Sequence, residues 1–344
     1  MGEADHTHTD RTRHATATQS EARIGSPYDN GSVAERLGGE AFTTTLDGMV
    51  FDGFRARSRE TVSRQTVRSQ ADPAGTSAAE RPVAVLVHGW PQFAACWEDT
   101  AAVLLAAGID VIAYDQRGYS PGARPGEVAA YDVARLVEDL DGLRAAWGLD
   151  RFHLVGHDWG GIVGWSYAAL HPESLATLTS VSTAHPIAHA TRIAEDPDQY
   201  ERMHYMRRIR EDPAGVEERM LARGGAKLAA LYDGAVAEHR VRSYIERFSQ
   251  PAAPGGTGTL EASLMYYRAF GGEPRPATTP VTVPTLYVWG SEDLAFTRGA
   301  AELTGEYVDG DYRFVELTGA SHWLPEQEPD AVAGAVIDWV RAHP

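Results

Sequence analysis

The sequence of 344 residues contains very little cysteine, since Cys96 is the single one. One thiol cannot form a disulfide within the chain, and the paired-cysteine patterns of common zinc sites are absent. A disulfide framework and a cysteine-based zinc site are therefore excluded. We interpret Cys96 as a small apolar side chain packed beside a helix, because free cysteines commonly behave in this way.

Long apolar runs and an excess of positive charge are also missing. No stretch reaches the roughly 20 apolar residues that a membrane-spanning helix needs. Residues 1–20 are polar, whereas a secretory signal would carry an apolar segment there. The formal net charge is −17, so the surface repels phosphate backbones. These absences predict a cytoplasmic protein with no membrane span and no nucleic-acid partner.

Composition and apolar pattern divide the chain into four segments. Residues 1–40 have no apolar period, which predicts a disordered or loosely attached tail. Residues 41–186 and 277–344 alternate apolar strands with helical patterns, which predicts an α/β class with a mainly parallel, doubly wound sheet. Residues 187–276 are helical in pattern and interrupt this alternation before the last two strands. We predict that they form a lid over the carboxyl ends of the strands, where such sheets bind ligands.

The motif GHDWGG at residues 156–161 is the strongest indication of chemistry. It follows an apolar strand and precedes a helical run, and its glycines allow a sharp turn that projects the central side chain above a sheet. That side chain is Asp158, a carboxylate that can attack an electrophilic carbon and form an ester. A helix N-cap aspartate in a tight turn is the structural alternative. Taken alone, the motif leaves both interpretations open.

Four further residues favour a catalytic interpretation of the turn. With such an elbow, one oxyanion-hole amide comes from the loop after an earlier strand and another from the residue after the nucleophile, so the candidates are Trp90 and Trp159. Downstream, Asp293 and His322 complete the chain order of nucleophile, acid and histidine. We predict that His322 activates water and that Asp293 orients it, with Glu292 as a weaker alternative for the acid.

Together these motifs resemble the epoxide hydrolase branch of the α/β-hydrolase fold superfamily. The resemblance rests on HGWP around Trp90, DQRGYS at residues 115–120, the elbow and SHW at residues 321–323. It implies an α/β-hydrolase fold, an aspartate nucleophile and two lid tyrosines whose hydroxyls donate hydrogen bonds to the epoxide oxygen. Tyr267 matches the second tyrosine motif of that family, and Tyr205 is the candidate for the first.

The resemblance implies that a small apolar epoxide and water react through an ester of Asp158 to give a vicinal diol, without metal or cofactor. Haloalkane dehalogenases share the aspartate nucleophile, but they commonly hold the halide with a second tryptophan from the lid or with an asparagine at the position of Trp90. Residues 187–276 contain no tryptophan, which favours the epoxide interpretation. A non-catalytic small-molecule binding relative is the third alternative. The set of Asp158, Asp293 and His322 argues against it, because a binding protein has no need of all three.

Overall fold

The computed structural model describes residues 29–59, 81–250, 252, 256–270 and 280–344, and the backbone of residues 15–19. The strands are β1 (Ala15–Gln19), β2 (Glu40–Leu46), β3 (Met49–Ala56), β4 (Val83–Val87), β5 (Asp110–Tyr114), β6 (Phe152–His157), β7 (Leu175–Val181), β8 (Thr285–Glu292) and β9 (Tyr312–Ser321). The helices are α1 (Asn30–Leu37), α2 (Glu98–Ala106), α3 (Val133–Ala146), α4 (Trp159–Leu170), α5 (Pro186–Glu195), α6 (Pro197–Arg202), α7 (His204–Glu211), α8 (Pro213–Ala230), α9 (Glu238–Phe248), α10 (Thr259–Ala269), α11 (Arg298–Leu303), α12 (Leu324–Gln327) and α13 (Pro329–Ala342).

The strands form one sheet in the order β1-β2-β3-β5-β4-β6-β7-β8-β9. The pairs from β1 to β3, and β3 with β5, are antiparallel, whereas every pair from β5 to β9 is parallel. The chain order reverses around β4, which lies between β5 and β6. Ligands bind at such a reversal, outside the carboxyl ends of the strands. The α/β-hydrolase fold class predicted from the sequence is confirmed.

The central strands are largely apolar because both of their faces are covered. Every residue of β6 and β7 is buried, although alternate side chains point to opposite faces of a sheet. Helices α2 and α13 pack together, as do α3 and α4. Layers of helices thus enclose the sheet. No helix in the described part of the chain is long and apolar enough to cross a membrane.

Helices α5 to α10 occupy the chain between β7 and β8, where the sequence predicts a helical insertion. No strand interrupts them in the described residues of that segment. Proline begins several of them, as at Pro186, Pro197 and Pro213, where its fixed φ suits the first helical turn. Residues 271–279, at the predicted end of the insertion, lie outside the described residues.

The prediction of a disordered or loosely attached tail over residues 1–40 is wrong for its last part. The side chain of Asp29 caps α1, and Val33 within the helix is completely buried. The side-chain amide of Asn30 donates a hydrogen bond to Asp115, at 2.9 Å. The backbone of residues 15–19 also pairs with β2. An eight-residue helix has too short an apolar pattern to be recognised, and its partners are distant in sequence.

Candidate active site

Asp158 lies in a strained turn between β6 and α4. Its φ of 49° and ψ of −116° place a residue with a side chain in the left-handed half of backbone space. The turn requires glycine nearby, because a Cβ on Gly160 would lie 2.1 Å from the carbonyl oxygen of Val87 on β4. This close packing of elbow and sheet projects the carboxylate of Asp158 beyond the carboxyl ends of the strands.

The loop after β4 closes against the carboxylate of Asp158. The amide N–H of Trp90 donates a hydrogen bond to Oδ1 of Asp158, at 2.7 Å. A Cβ on Gly89 would lie only 2.3 Å from Cβ of Asp158, so only glycine fits beside the carboxylate there. Trp159 begins α4, and the first amides of a helix have no partner within it. The two predicted oxyanion-hole residues therefore flank Asp158.

His322 and Asp293 meet beside Asp158 at the ends of β9 and β8. Nδ1 of His322 lies 2.9 Å from one carboxylate oxygen of Asp293 and 3.0 Å from the other. The opposite ring nitrogen, Nε2, lies 3.7 Å from Oδ2 of Asp158. Asp293 also accepts backbone hydrogen bonds from Ala295 and Phe296, which fix its orientation. The predicted acid, histidine and carboxylate thus form one chain of contacts.

Charge coupling sets the protonation of this group. Burial opposes the imidazolium form of His322, but the charge of Asp293, with Asp158, outweighs it and raises the pKa of His322 to about 10. Burial likewise opposes the charge of Asp158, yet contacts with His322, His157 and the Trp90 amide lower its pKa. Asp158 is therefore a carboxylate and His322 an imidazolium at neutral pH.

Tyr205 on α7 and Tyr267 on α10 face each other near Asp158. Their ring centres are 5.6 Å apart, and Tyr267 packs edge-on against Trp90 at 5.6 Å and Trp159 at 5.1 Å. Burial raises the pKa of both hydroxyls, and the negative charge of Asp158 contributes to both shifts. Both tyrosines are therefore protonated hydrogen-bond donors within electrostatic range of the carboxylate.

Two residues that support this group were not assigned a role from the sequence. Nε2 of His157 lies 2.9 Å from the carbonyl oxygen of His322, and burial lowers the pKa of His157 to about 3. The neutral ring of His157 therefore holds the backbone of the loop that carries His322. The hydroxyl of Thr183 donates to the carbonyl oxygen of Asp158, at 3.0 Å. The elbow motif includes His157, but no pattern in the sequence indicates its partner.

A largely apolar cavity of about 100 Å³ lies beside the catalytic group, between α3, α4, α5 and α10. Ile162, Ala184, His189, Phe270 and Phe296 contribute to its wall, whereas the five catalytic candidates are not among its described lining residues. The cavity is adjacent to them, because the amide of Ile162 donates to the carbonyl oxygen of Asp158 at 3.0 Å and Phe270 packs edge-on against Trp159 at 5.7 Å. No cluster of metal-binding side chains occurs among the described residues.

Comparisons with known proteins agree with this architecture. The profile of the family described as alpha/beta hydrolase fold matches residues 82–329. Epoxide hydrolase A of Mycobacterium tuberculosis is 30% identical over 325 residues, which cover 83% of this chain and 98% of that protein. An AB hydrolase superfamily protein of Bacillus subtilis is 30% identical over 76% of this chain and 90% of its own length. The crystal structure of epoxide hydrolase A from Mycobacterium thermoresistibile superposes with a TM-score of 0.64 at 26% identity, covering 89% of this chain and 99% of that one.

Proposed function

This chain belongs to the α/β-hydrolase fold family, as an epoxide hydrolase-like enzyme, and we propose that it opens epoxides to vicinal diols through a covalent ester of Asp158. One observation carries the proposal. The side chain at the tip of the elbow is a carboxylate that accepts a hydrogen bond from the Trp90 amide. It lies 3.7 Å from His322, which is paired with Asp293. An ionised carboxylate attacks carbon without needing a base, so the histidine is free to act on water.

In the first step, an oxygen of Asp158 attacks a ring carbon and forms an ester while the carbon–oxygen bond of the ring breaks. Tyr205 and Tyr267 donate hydrogen bonds to the ring oxygen, and one of them transfers a proton to the alkoxide and regains it from water. Hydrogen bonds aimed at a developing charge are among the largest contributions to catalysis. The raised pKa of both tyrosines supports this role, because each remains a donor until the alkoxide forms.

In the second step, His322 takes a proton from water, and the resulting hydroxide attacks the ester carbonyl. The amides of Trp90 and Trp159 stabilise the oxyanion. When it collapses, His322 returns its proton to the departing alkoxide, so that the diol is released and Asp158 is restored. Esterification removes the negative charge that helps to raise the pKa of His322. The imidazolium then releases its proton to solvent, so the ring becomes a base only after the first step, while Asp293 continues to orient it. The order of events thus follows from the charge of the nucleophile.

The adjacent cavity supports an epoxide with an apolar substituent. Its wall is mainly aliphatic and aromatic, and Phe270, Phe296 and Ile162 would contact hydrocarbon rather than charge. Burial of apolar area contributes roughly 25 cal/mol per Å², so aryl or alkyl groups bind more tightly than polar ones. We propose small apolar epoxides as the substrates and water as the second reactant.

Trapping the ester tests the proposal. The His322→Gln variant should react once with an epoxide that the wild-type protein turns over, gain the mass of one substrate molecule on Asp158, and then stall. The Asp158→Ala variant should show neither adduct nor turnover, and His171→Gln, outside the site, should behave as wild type. An unmodified His322→Gln protein during epoxide exposure would refute the nucleophile role. Halide release from a haloalkane panel, without epoxide turnover, would favour a dehalogenase instead.

A further inference from the structure

Glu326 is a buried carboxylate that the proposed mechanism does not use. It lies on α12, four residues after His322 in the sequence, and its side chain is only 1% exposed. The backbone of α12 is tied to the histidine loop, because the amide of Glu326 donates to the carbonyl oxygen of Trp323 at 3.1 Å. A displacement of the Glu326 side chain is therefore transmitted to the loop that carries His322.

The carboxylate of Glu326 is bound by groups from two other parts of the molecule. The side-chain amide of Gln92, two residues after Trp90, donates to Oε2. From the insertion, the hydroxyl of Tyr244 on α9 donates to Oε1 at 2.9 Å, and Arg240 lies 3.6 Å from the same oxygen. Glu326 thus connects three parts of the molecule: the loop after β9 that carries His322 (the histidine loop), the loop after β4 that carries Trp90 (the Trp90 loop), and α9.

The ionised form of Glu326 costs folding stability at neutral pH. Burial raises its pKa to about 7, although Arg240, Gln92 and Tyr244 act in the opposite direction. A carboxyl with a raised pKa binds its proton more tightly in the folded state, so stability falls as pH rises from the ordinary value towards 7. A glutamine of the same shape would avoid this cost, which indicates that stability is not what the carboxylate provides.

We propose that Glu326 is a positioning residue. Its carboxylate holds the histidine loop and the Trp90 loop in the arrangement required to hydrolyse the aspartyl ester. The inference rests on the proposed function. Both loops act in the second step, since His322 activates water and the Trp90 amide binds the oxyanion. The first step needs neither a neutral His322 nor a new oxyanion contact. Glu326 therefore affects ester hydrolysis more than ester formation.

Protonation of Glu326 weakens the connection between the loops. A carboxylate accepts hydrogen bonds strongly at both oxygens, whereas the hydroxyl oxygen of a carboxylic acid is a donor and only a weak acceptor, so one of the present hydrogen bonds is weakened. The attraction of Arg240 is lost as well. The titratable and charged groups around Glu326 are Arg240 and Tyr244 from α9, Tyr232 after α8, and Cys96 before α2. Burial raises the pKa of Cys96, Tyr232 and Tyr244, so Glu326 is the group among them that titrates near neutrality.

The decisive measurement is the pH dependence of Glu326→Gln relative to wild type. At pH 8, where the wild-type carboxylate is ionised, the variant should hydrolyse the ester more slowly, by the order of 10- to 100-fold that small displacements in a catalytic site produce. At pH 5.5, where the wild-type group is protonated, the two rates should converge. Rapid-quench mass spectrometry separates the two steps, and the rate of ester formation should differ between the two proteins by much less than the rate of ester hydrolysis.

Two further variants complete the test. Asp330→Asn changes an exposed carboxylate of the neighbouring helix and should match wild type at both pH values. Gln92→Leu removes the link to the Trp90 loop and should reproduce slow hydrolysis at pH 8, which keeps the inference testable if Glu326→Gln does not fold. A Glu326→Gln defect of equal size at pH 5.5 and pH 8 would overturn the inference, because a general loss of folded enzyme has that signature.

A substrate-free measurement separates this inference from the proposed function. Hydrogen exchange of residues 320–328, corrected for intrinsic rates, should slow in wild type between pH 5.5 and pH 8, and this change should be absent in Glu326→Gln. If no epoxide is turned over but the exchange difference is present, the proposed function fails while Glu326 still organises the loop. Equal exchange in the two proteins at both pH values overturns the positioning role whatever the substrate.

Discussion

The chemistry of the site depends on one residue in a disfavoured conformation. A positive φ at a residue with a side chain costs on the order of 1–3 kcal/mol, and Asp158 is held there by the packing of Gly160 against β4. The strain brings the carboxylate within 2.7 Å of the Trp90 amide and 3.7 Å of His322. A relaxed turn would separate these groups, so the strain is the means by which the carboxylate of Asp158 reaches both partners.

The two tyrosines give a prediction about the first step. If their hydroxyls activate the ring oxygen, the Tyr205→Phe, Tyr267→Phe double variant should form the aspartyl ester more slowly, by about 100-fold or more, because donors to a developing oxyanion are lost. Single variants should lose less, since the remaining hydroxyl partly compensates. The rate is measured by rapid quench and mass spectrometry of Asp158.

Tyr200→Phe provides the matched control for this experiment. Tyr200 lies on α6 of the same insertion and is 51% exposed, so removal of its hydroxyl should leave the rate of ester formation unchanged. Circular dichroism should be the same for all variants. Full epoxide turnover by the double variant would show that the assignment of Tyr205 and Tyr267 is wrong.

At the scale of elements, α1 and α9 bind the same two carboxylates. Asp115, at the end of β5, accepts hydrogen bonds from Asn30 on α1 at 2.9 Å and from Arg247 on α9 at 2.6 Å. Glu98 on α2 accepts hydrogen bonds from Arg36 on α1 and lies 3.7 Å from Arg240 on α9. The N-terminal helix and the insertion are therefore anchored to one another through the core.

Removal of the positive charge that Arg247 places beside Asp115 should lower the free energy of unfolding. In the Arg247→Met variant, Asp115 remains completely buried without its closest positive charge. Breaking a buried pair in this way typically lowers the free energy of unfolding by about 3–5 kcal/mol. Urea titration measures the loss, and adding Asp115→Asn to the same protein should recover part of it, because the unpaired charge is then removed.

Arg242→Met on the same helix is the control for this loss. Arg242 pairs with Glu238, but their side chains are 60% and 86% exposed, and surface pairs of this kind contribute about 0–1 kcal/mol. Equal losses for Arg247→Met and Arg242→Met would mean that α9 is not anchored through Asp115.

Elements whose contacts are local could be predicted from the sequence. The central strand β4 is a continuous apolar run because both faces of the sheet are covered, and the elbow is marked by glycines that its turn requires. Helix α1 could not be predicted, because Asn30 finds its partner Asp115 on an element 85 positions away. Glu326 is similar, since its partners Gln92 and Tyr244 lie in separate segments. Proximity across the chain is a property of the fold and leaves no local pattern.

At the scale of the whole molecule, folding brings the charges of the candidate site together and so makes stability depend on pH. His322 enters the folded state with its pKa raised from about 6.5 to about 10. Because the folded state binds this proton more tightly, the stabilisation is complete below about pH 6.5 and is lost as pH rises through 10. Asp158 has a lowered pKa and acts in the opposite direction, so its contribution is lost only as the solution becomes acidic.

We therefore expect wild-type protein to lose thermal stability between pH 6.5 and pH 10, and the His322→Gln variant to lose less over the same range. A glutamine cannot bind the proton, while nearly all other titrating groups are identical in the two proteins, so the difference between their slopes isolates His322. Each unit by which folding raises the pKa corresponds to about 1.4 kcal/mol of stability at most. Across this pH range, the wild-type protein should therefore lose several kcal/mol more stability than the His322→Gln variant. Differential scanning calorimetry at pH 6, 8 and 9.5 measures it. Parallel curves would contradict a protonated histidine in the resting site, and with it the control of the base by the charge of Asp158.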